Sequence, residues 1–221
     1  HSKRKTKMIS LTLVLIIMTG LISYQAFARP EMKARLMFYP VQMKANGEWY
    51  RFITYGFIHA DWQHLLVNMF VLYMFGEYLE GAMLSIFGAS LGRLMYLLLY
   101  LSAIVASSVP SYFRQKDNRG YAAVGASGAT SALVFAFILF DPWQWFLFPP
   151  LPAILFGIAY LWYSNYMEKK GMDNIGHNTH FWGAIYGLFF MILTAYAFQP
   201  RLLEYFLDRL LAGPTAPGFL Q

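Results

Sequence analysis

Four polar side chains of this sequence, His64, Asn68, Ser127 and His180, could take part in hydrolysis, and each lies near the start of an apolar stretch. A histidine held against a serine can act as a base that activates the hydroxyl as a nucleophile. His64 and Asn68 are four residues apart, so they share one face of a helix, and each offers a hydrogen-bond donor of the kind that an oxyanion site requires. The chain has no cysteine, which excludes a thiol nucleophile, a disulfide and a thiolate metal site.

Ser127 lies in the segment Gly125-Ala-Ser-Gly128, directly before an apolar stretch. We expect this segment to form a helix N-terminus, where free backbone N–H groups and the helix dipole favour developing negative charge. On its own, however, a segment of this composition is more often a helix-packing motif than a nucleophile. Ser127 is therefore a candidate only together with the other three residues.

Small residues recur at four-residue steps in two of the apolar stretches. They are Gly128, Ala132 and Ala136 in one stretch and Gly183 and Gly187 in the other. Small residues at this spacing let membrane helices approach closely. Packing the two faces together would bring His180, three residues before Gly183, against Ser127.

The composition indicates the elements that must position these residues. Hydrophobic residues make up 58% of the 221 positions and charged residues 13%, against roughly 25% charged in an ordinary soluble domain. Six apolar stretches run at approximately 8–27, 62–79, 94–109, 127–140, 151–166 and 181–198. A helix needs about 20 apolar residues to cross the hydrocarbon, so the stretch 127–140 is short and would need shielding by its neighbours. The sequence predicts an all-α, polytopic membrane helix bundle with six transmembrane helices.

The order of the stretches predicts where the polar residues meet. In a six-helix bundle the second, fourth and sixth helices enter from the same side of the membrane. His64 and Asn68, Ser127, and His180 lie near the starts of these three helices. We therefore expect them at one membrane face and at a similar depth.

We divide the chain into a basic N-terminal tail (1–7), a six-helix domain (8–199) with a long first loop (28–61), and an amphipathic helix with a C-terminal tail (200–221). The run 8–27 is followed by Ala28 in a small-x-small pattern, so it also resembles a signal peptide that would be trimmed. Gly81 to Gly92 reads as a turn region. Glu80 lies at the opposite end of its helix from Asn68 and is expected to be a structural cap or a member of an ion pair.

The charges indicate partners and orientation. The formal net charge is +6, but the basic residues lie in tails and loops between apolar stretches. Anionic lipid headgroups are therefore the expected partner, and no nucleic acid is expected. The basic tail favours a cytoplasmic N-terminus, although with that topology more Lys and Arg fall outside than inside.

At four places the sequence resembles the rhomboid family of intramembrane serine proteases. The segment Phe57–Asn68 resembles the helix-two signature of that family, and Gly125–Gly128 matches its GxSG nucleophile motif. Asp173–Gly183, followed by Gly187, resembles the helix-six histidine with its GxxxG, and Glu48–Arg51 is similar to a Trp-Arg element of the first loop. Order and spacing agree from about residue 9 to residue 198.

The resemblance implies a role for each candidate. Ser127 would be the nucleophile, and His180 would be the general base and later the acid that protonates the leaving amine. The Ser127 N–H, His64 and Asn68 would form the oxyanion hole. Structural support is expected from Gly125, Gly128, His177, Gly183 and Gly187. No acid is placed to orient His180, since Asp173 lies seven residues upstream in a loop, so a dyad is expected rather than a triad.

The resemblance also implies the setting of the reaction. Members of the family need no metal or cofactor, and their substrates are transmembrane proteins. The protein is expected in the bacterial cell (inner) membrane with its active site toward the outer face. One departure concerns the position four residues after the nucleophile, where many members carry an aromatic ring that stacks on the catalytic histidine. That position is Ser131 here, so His180 would be held by helix packing or by another ring such as Phe181 or Trp182.

Three other interpretations remain open. The pairs His59 with His64 and His177 with His180 could bind a metal or haem, although no carboxylate is placed to join them and His59 and His177 are expected to be structural. The chain could be a non-catalytic relative that binds transmembrane helices. It could also be a small transporter, although such proteins usually place polar groups near mid-membrane.

Overall fold

The structure is a computed structural model that describes residues 9–146, 150–170 and 176–214. The basic segment 1–7, the loop residue Asp173 and the tail end 215–221 lie outside these described residues. In the described part the chain forms ten α-helices and one short 3-10 helix (Tyr55–Phe57). The α-helices are α1 (Leu11–Ala28), α2 (Pro30–Leu36), α3 (Pro40–Asn46), α4 (Arg51–Thr54), α5 (Trp62–Phe87), α6 (Ala89–Gln115), α7 (Ser127–Phe140), α8 (Ala153–Lys170), α9 (His177–Phe198) and α10 (Arg201–Leu211).

The predicted all-α membrane helix bundle is confirmed. Four helices, α1, α5, α6 and α9, are long and apolar enough to cross a membrane, and α7 is a shorter apolar helix. Each of the six apolar stretches falls largely within one of the long helices or α7. Six membrane crossings remain a prediction, because length and hydropathy alone support four among the described residues.

The short helix α7 lies in the middle of the bundle, in contact with α5, α6, α8, α9 and α10. Every residue from Gly128 to Ile138 is buried. Neighbouring helices therefore cover α7 on all sides, which explains how 14 residues suffice. The predicted shielding of this stretch is confirmed.

The start of α1 is capped by a carboxylate from α5. Glu80 is 4% exposed and accepts hydrogen bonds from the backbone N–H groups of Leu11 (2.8 Å) and Thr12 (2.9 Å) and from the Thr12 hydroxyl (2.9 Å). Glu77 binds the Ser10 hydroxyl one turn away. Negative charge is favourable at a helix N-terminus, so Glu80 is the structural cap that its position predicted. These bonds make α1 an integral part of the bundle.

The predicted turn region from Gly81 to Gly92 is wrong. Helix α5 continues to Phe87, α6 begins at Ala89, and only Gly88 separates them, with φ of +78°. A single residue in that conformation, which glycine adopts without strain, is enough to reverse the chain. The two glycines therefore lie inside helices.

The long first loop is built around a buried guanidinium. Arg51 is 3% exposed and donates to the carboxylate of Glu48 (2.5 Å), to the carbonyl oxygens of Ala34 (2.8 Å) and Met37 (2.7 Å) and to Gln42 Oε1 (3.0 Å). The hydrogen bond from Arg51 lowers the pKa of the Glu48 carboxyl, and a bond from Asn46 adds to the effect. One side chain thus joins α2, α3 and α4.

The amphipathic helix α10 packs on the end of α7. Leu202 and Phe206 are buried, and the Phe206 ring contacts Phe140 at 5.1 Å between centroids. Arg209 forms an ion pair with Asp141 at 2.6 Å. The predicted apolar face is therefore only partly used within the chain, since Leu207 and Leu211 remain exposed.

Candidate active site

The turn before Ser127 depends on a glycine. Gly125 has φ of +119°, and a Cβ there would lie 2.5 Å from Cε1 of the His64 ring. Any other residue would therefore be strained and would also collide with His64. The Gly125 N–H donates to the carbonyl of Tyr55 at 2.9 Å, which fixes the turn against the first loop. Gly125 thus lets the His64 ring lie directly against the turn that leads into Ser127.

The ring of His59 is hydrogen-bonded to the same turn. Its Nε2 accepts a hydrogen bond from the Ala126 N–H at 3.3 Å, so the ring proton lies on Nδ1, which is 3.0 Å from the hydroxyl of Ser23 on α1. Ser23 in turn donates to the Phe57 carbonyl at 3.0 Å. Burial lowers the pKa of His59 to about 3, and the nearby His64 contributes in the same direction against a weaker opposite effect of Asp61. A neutral, fully buried ring with both nitrogens engaged fits the structural role expected of His59.

Ser127 is the first residue of α7 and is half-buried. No side chain caps this end of the helix. The first-turn N–H groups of an α-helix have no partner within the helix, and they carry the positive end of the helix dipole. Ser127 therefore lies where negative charge on a neighbouring oxygen would be stabilised.

Asn68 is fixed to α7 one turn after Ser127. It is 4% exposed, its Oδ1 accepts from the Thr130 hydroxyl at 3.1 Å, and its Nδ2 donates to the carbonyl of His64 at 2.9 Å. A side-chain amide has two N–H donors, so one of them is left for another acceptor. His64 thus contacts a residue just before Ser127 in the chain, and Asn68 binds a residue just after it.

Helices α7 and α9 meet at the small residues that the sequence indicated. A Cβ on Gly183 would overlap the backbone carbonyl of Gly128, and a Cβ on Gly187 would overlap that of Ala132. A Cβ on Gly128 would in turn lie 2.9 Å from the methyl group of Thr179. The two backbones therefore pack so closely that no side chain fits between them at these positions.

The close crossing brings the starts of the two helices together. Gly128 follows Ser127 in the chain, and Thr179 precedes His180. Because Gly128 contacts Thr179, Ser127 and His180 are each one residue away from the same contact. A nucleophile and a base on two different helices would need such an arrangement.

His180 is half-buried and lies beside two rings. The ring of Tyr160 on α8 is nearly parallel to it, with centroids 6.2 Å apart and planes at 16°. The His177 ring lies edge-on at 6.0 Å and also contacts Tyr163. Phe181 and Trp182, which were expected as alternative supports, instead contact each other at 5.5 Å.

The start of α9 is also tied to α6. The Asn178 side chain donates to the Ser111 hydroxyl at 2.8 Å and accepts from Arg114 at 3.2 Å. His177, beside it, is 4% exposed. Among the residues the structure describes, no group of three His, Asp or Glu lies close enough to hold a metal ion.

Sequence reasoning missed Thr130 and Tyr160 at this site, and it noted Ser131 only as the residue that stands where a stacking ring was expected. Thr130 and Ser131 are polar residues inside a short apolar stretch, which was a usable sign that this part of α7 faces other polar groups. Tyr160 gave no such sign, because Tyr163 and Tyr166 follow it at similar spacing on the same helix. Sequence alone does not tell which of the three faces α9.

Comparisons with known proteins give a family match over most of the chain. A family model described as "Rhomboid domain" matches residues 46–197. The chain is similar to "Putative rhomboid protease YdcA" of Bacillus subtilis (strain 168), with 35% identity over 89 residues, which is 40% of this chain and 40% of the relative. It is 29% identical over 160 residues to "Rhomboid-related protein 1" of Caenorhabditis elegans, covering 69% of this chain and 42% of the relative.

A third relative is "Rhomboid-like protein 11, chloroplastic" of Arabidopsis thaliana, with 35% identity over 98 residues, or 44% of this chain and 31% of the relative. The alignments thus span less than half the length of each of these three relatives.

Proposed function

Because the chain belongs to the rhomboid family and is an integral membrane protein, we propose that it is an intramembrane serine endopeptidase. It hydrolyses peptide bonds in or near the transmembrane helices of other membrane proteins. The observation that carries this proposal is the crossing of α7 and α9, at which Gly183 lies on the carbonyl of Gly128. That contact supports a reaction shared between Ser127 at the start of one helix and His180 near the start of the other.

The mechanism uses a Ser-His dyad. His180 takes the proton of the Ser127 hydroxyl as Oγ attacks the substrate carbonyl and forms an Oγ–C bond. The C–N bond then breaks, and His180 gives the proton to the leaving amine, a form of catalysis typically worth about 10²–10⁴-fold. Water releases the acyl group in a second round of the same steps. No metal or cofactor enters this mechanism.

The oxyanion of the tetrahedral intermediate is bound by the Ser127 N–H, the His64 ring and the remaining N–H of Asn68. The positions of these groups support the assignment, since His64 packs on Gly125 and Asn68 binds Thr130. One donor of this kind is typically worth about 2.7–4 kcal/mol of transition-state stabilisation. Gly125, Gly128, His177, Gly183 and Gly187 act as structural support.

The substrates are transmembrane proteins cut near the outer end of a helix that unwinds readily and has a small residue at the cut. A peptide bond inside an intact helix is covered by its hydrogen bonds, so unwinding must precede attack. Membrane lipids are the other partner, and the basic residues in the loops suit anionic headgroups.

We place the protein in the bacterial cell (inner) membrane with the active site toward the outer face. The basic residues before α1 favour a cytoplasmic N-terminus, and α5, α7 and α9 then all begin at the outer side. The chain has no cysteine, so a Lys33→Cys variant tests this directly. A membrane-impermeant maleimide added to intact cells should label this cysteine. If the cysteine is labelled only after the cells are lysed, the orientation is the opposite of the one proposed.

The test of activity is cleavage in proteoliposomes. The full chain is reconstituted with a panel of single-span reporter proteins, and products are identified by gel and mass spectrometry. Wild type and the control Ser85→Ala, which alters an exposed serine at the far end of α5, should cleave a reporter. Ser127→Ala and His180→Ala should not. If the wild type captures reporters across the panel but never cuts them, the protein is the non-catalytic helix binder instead.

A further inference from the structure

The position four residues after Ser127 lacks the ring that the family resemblance leads one to expect there. Ser131 occupies it, on the face of α7 that turns toward α8. The ring that lies parallel to His180 comes instead from Tyr160, on a different helix. The Ser131 and Tyr160 hydroxyl oxygens are 2.7 Å apart, so the two residues share a hydrogen bond.

We propose that Tyr160 and Ser131 form a unit that positions the imidazole of His180, with the ring supplied from α8 and its angle set by a hydroxyl of α7. The proposal rests on the proposed function, because it gives His180 the part of the base. Tyr160 and Ser131 are positioning residues that act through His180.

Tyr160 is held on several sides, as a positioning ring must be. Phe156, one turn earlier on α8, stacks on it at 6.0 Å with planes at 28°. Phe135, one turn after Ser131 on α7, contacts it at 6.0 Å with planes at 47°. Ser131 and Phe135 are both buried. The ring plane of Tyr160 is therefore fixed by two aromatic contacts and one hydrogen bond.

A ring fixed in this way restrains the imidazole beside it. Ring pairs attract at centroid distances of about 4.5–7 Å, and the Tyr160–His180 pair at 6.2 Å lies within this range. A nearly parallel neighbour limits rotation of the imidazole about its Cβ–Cγ bond. During the reaction the imidazole becomes a cation, and an electron-rich aromatic face next to a cation is favourable.

An aromatic residue in place of Ser131 should restore the activity that is lost when the Tyr160 ring is removed. Tyr160→Leu removes the stack and the hydrogen bond, whereas Tyr160→Phe and Ser131→Ala remove only the hydrogen bond. The double variant Ser131→Tyr/Tyr160→Leu supplies a ring from α7 in place of the one lost from α8. The matched control is Trp162→Leu, which removes an exposed ring two residues further along the same helix.

The experiment measures the reaction of the full chain with a fluorescent fluorophosphonate, separating the maximal rate of inactivation (kinact) from the concentration for half-maximal rate (KI). We expect kinact of Tyr160→Leu to fall roughly 10- to 100-fold with KI unchanged, since one ring pair and one hydrogen bond are lost. Tyr160→Phe and Ser131→Ala should each fall only about 5-fold. Their combination should fall no further, because both remove the same bond. Trp162→Leu should match wild type, and the ring exchange should recover most of kinact.

The result that overturns the proposal is a kinact of Tyr160→Leu equal to that of wild type, or an equal loss in Tyr160→Leu and Tyr160→Phe. Thermal unfolding in detergent is recorded for every variant. A ring-exchange variant that melts like wild type and recovers no kinact also overturns it. If that variant does not fold, the proposal is tested by comparing kinact of Tyr160→Phe with kinact of Tyr160→Leu. Failure of the proposed function is distinct, because wild type would then show no labelling that depends on Ser127.

Discussion

Gly183 lies so close to Gly128 that a single added carbon atom would overlap the Gly128 carbonyl oxygen. The contact joins the first turn of α7 to α9 one turn after His180. Ser127 and His180, on separate helices, therefore both lie close to a contact between the two backbones.

Replacing Gly183 should move His180 away from Ser127 without unfolding the bundle. In Gly183→Ala the new Cβ must push α9 away from α7, and a misplacement of about 1 Å can cost about 10²-fold in rate. Gly183→Leu should abolish cleavage. The control is Gly81→Ala, because a Cβ there meets nothing within 4 Å. Reporter cleavage in proteoliposomes measures the effect, and full activity of Gly183→Ala would refute the packing argument.

Asn68→Ala should lower the cleavage rate by about 10²–10³-fold, the typical loss for one oxyanion donor. Thr130→Val leaves the amide in place and removes the hydroxyl that bonds the Asn68 oxygen and, at 3.2 Å, the carbonyl of Ser127, so it should cost about 5-fold. Initial rates on one reporter protein check both values. An unchanged rate for Asn68→Ala would remove this residue from the oxyanion hole.

Arg51→Ala should destabilise the first loop on the order of 3 kcal/mol, because it leaves Glu48 and three other acceptors without their buried donor. The exposed pair Lys44–Asp117 is the comparison, and Lys44→Ala should have no measurable effect, since exposed ion pairs are screened by water. Thermal unfolding and limited proteolysis within residues 30–57 provide the measurement. Equal effects of the two substitutions would contradict this account of the loop.

His59 should make the protein less stable in acid. Its pKa is about 3 in the fold and 6.5 as the ordinary value, so between these pH values the unfolded chain binds a proton that the fold excludes. The contribution is complete above pH 6.5 and declines as the pH falls toward 3, by at most about 1.4 kcal/mol per pH unit. In a Ser127→Ala background, His59→Gln should flatten the decrease in melting temperature between about pH 7.5 and pH 5. An identical decrease in both proteins would show that His59 is not the titrating group.

Much of this architecture could be predicted because helices that cross a membrane are long apolar stretches, which are easy to locate in a sequence. The apolar stretches locate the helices, and the four-residue steps of small residues identify the faces of α7 and α9 that meet. Helix ends were less accurate. The apolar stretch predicted a helix over 94–109, whereas the observed helix runs from Ala89 to Gln115. Helical hydrogen bonding continues through the polar residues beyond the apolar segment.

The remaining features depend on contacts between distant parts of the chain. Glu80 was expected to be a cap or a member of an ion pair, but the sequence did not identify its partner α1, which lies about 70 residues earlier. Tyr160 could not be singled out, because lipid and protein neighbours both accept an aromatic residue on an apolar helix. The role of His59 depends on a hydrogen bond to a backbone N–H, which no side-chain pattern reveals.

The most direct test of the account is labelling of the serine itself. Purified protein in detergent is treated with a fluorophosphonate, digested and analysed by mass spectrometry to locate the modified residue. We predict one adduct, on Ser127, that is absent from Ser127→Ala and strongly reduced in His180→Ala, while Ser85→Ala is labelled like wild type. Labelling that persists in Ser127→Ala, or wild-type protein that never reacts under conditions in which a known serine hydrolase does, would contradict the account.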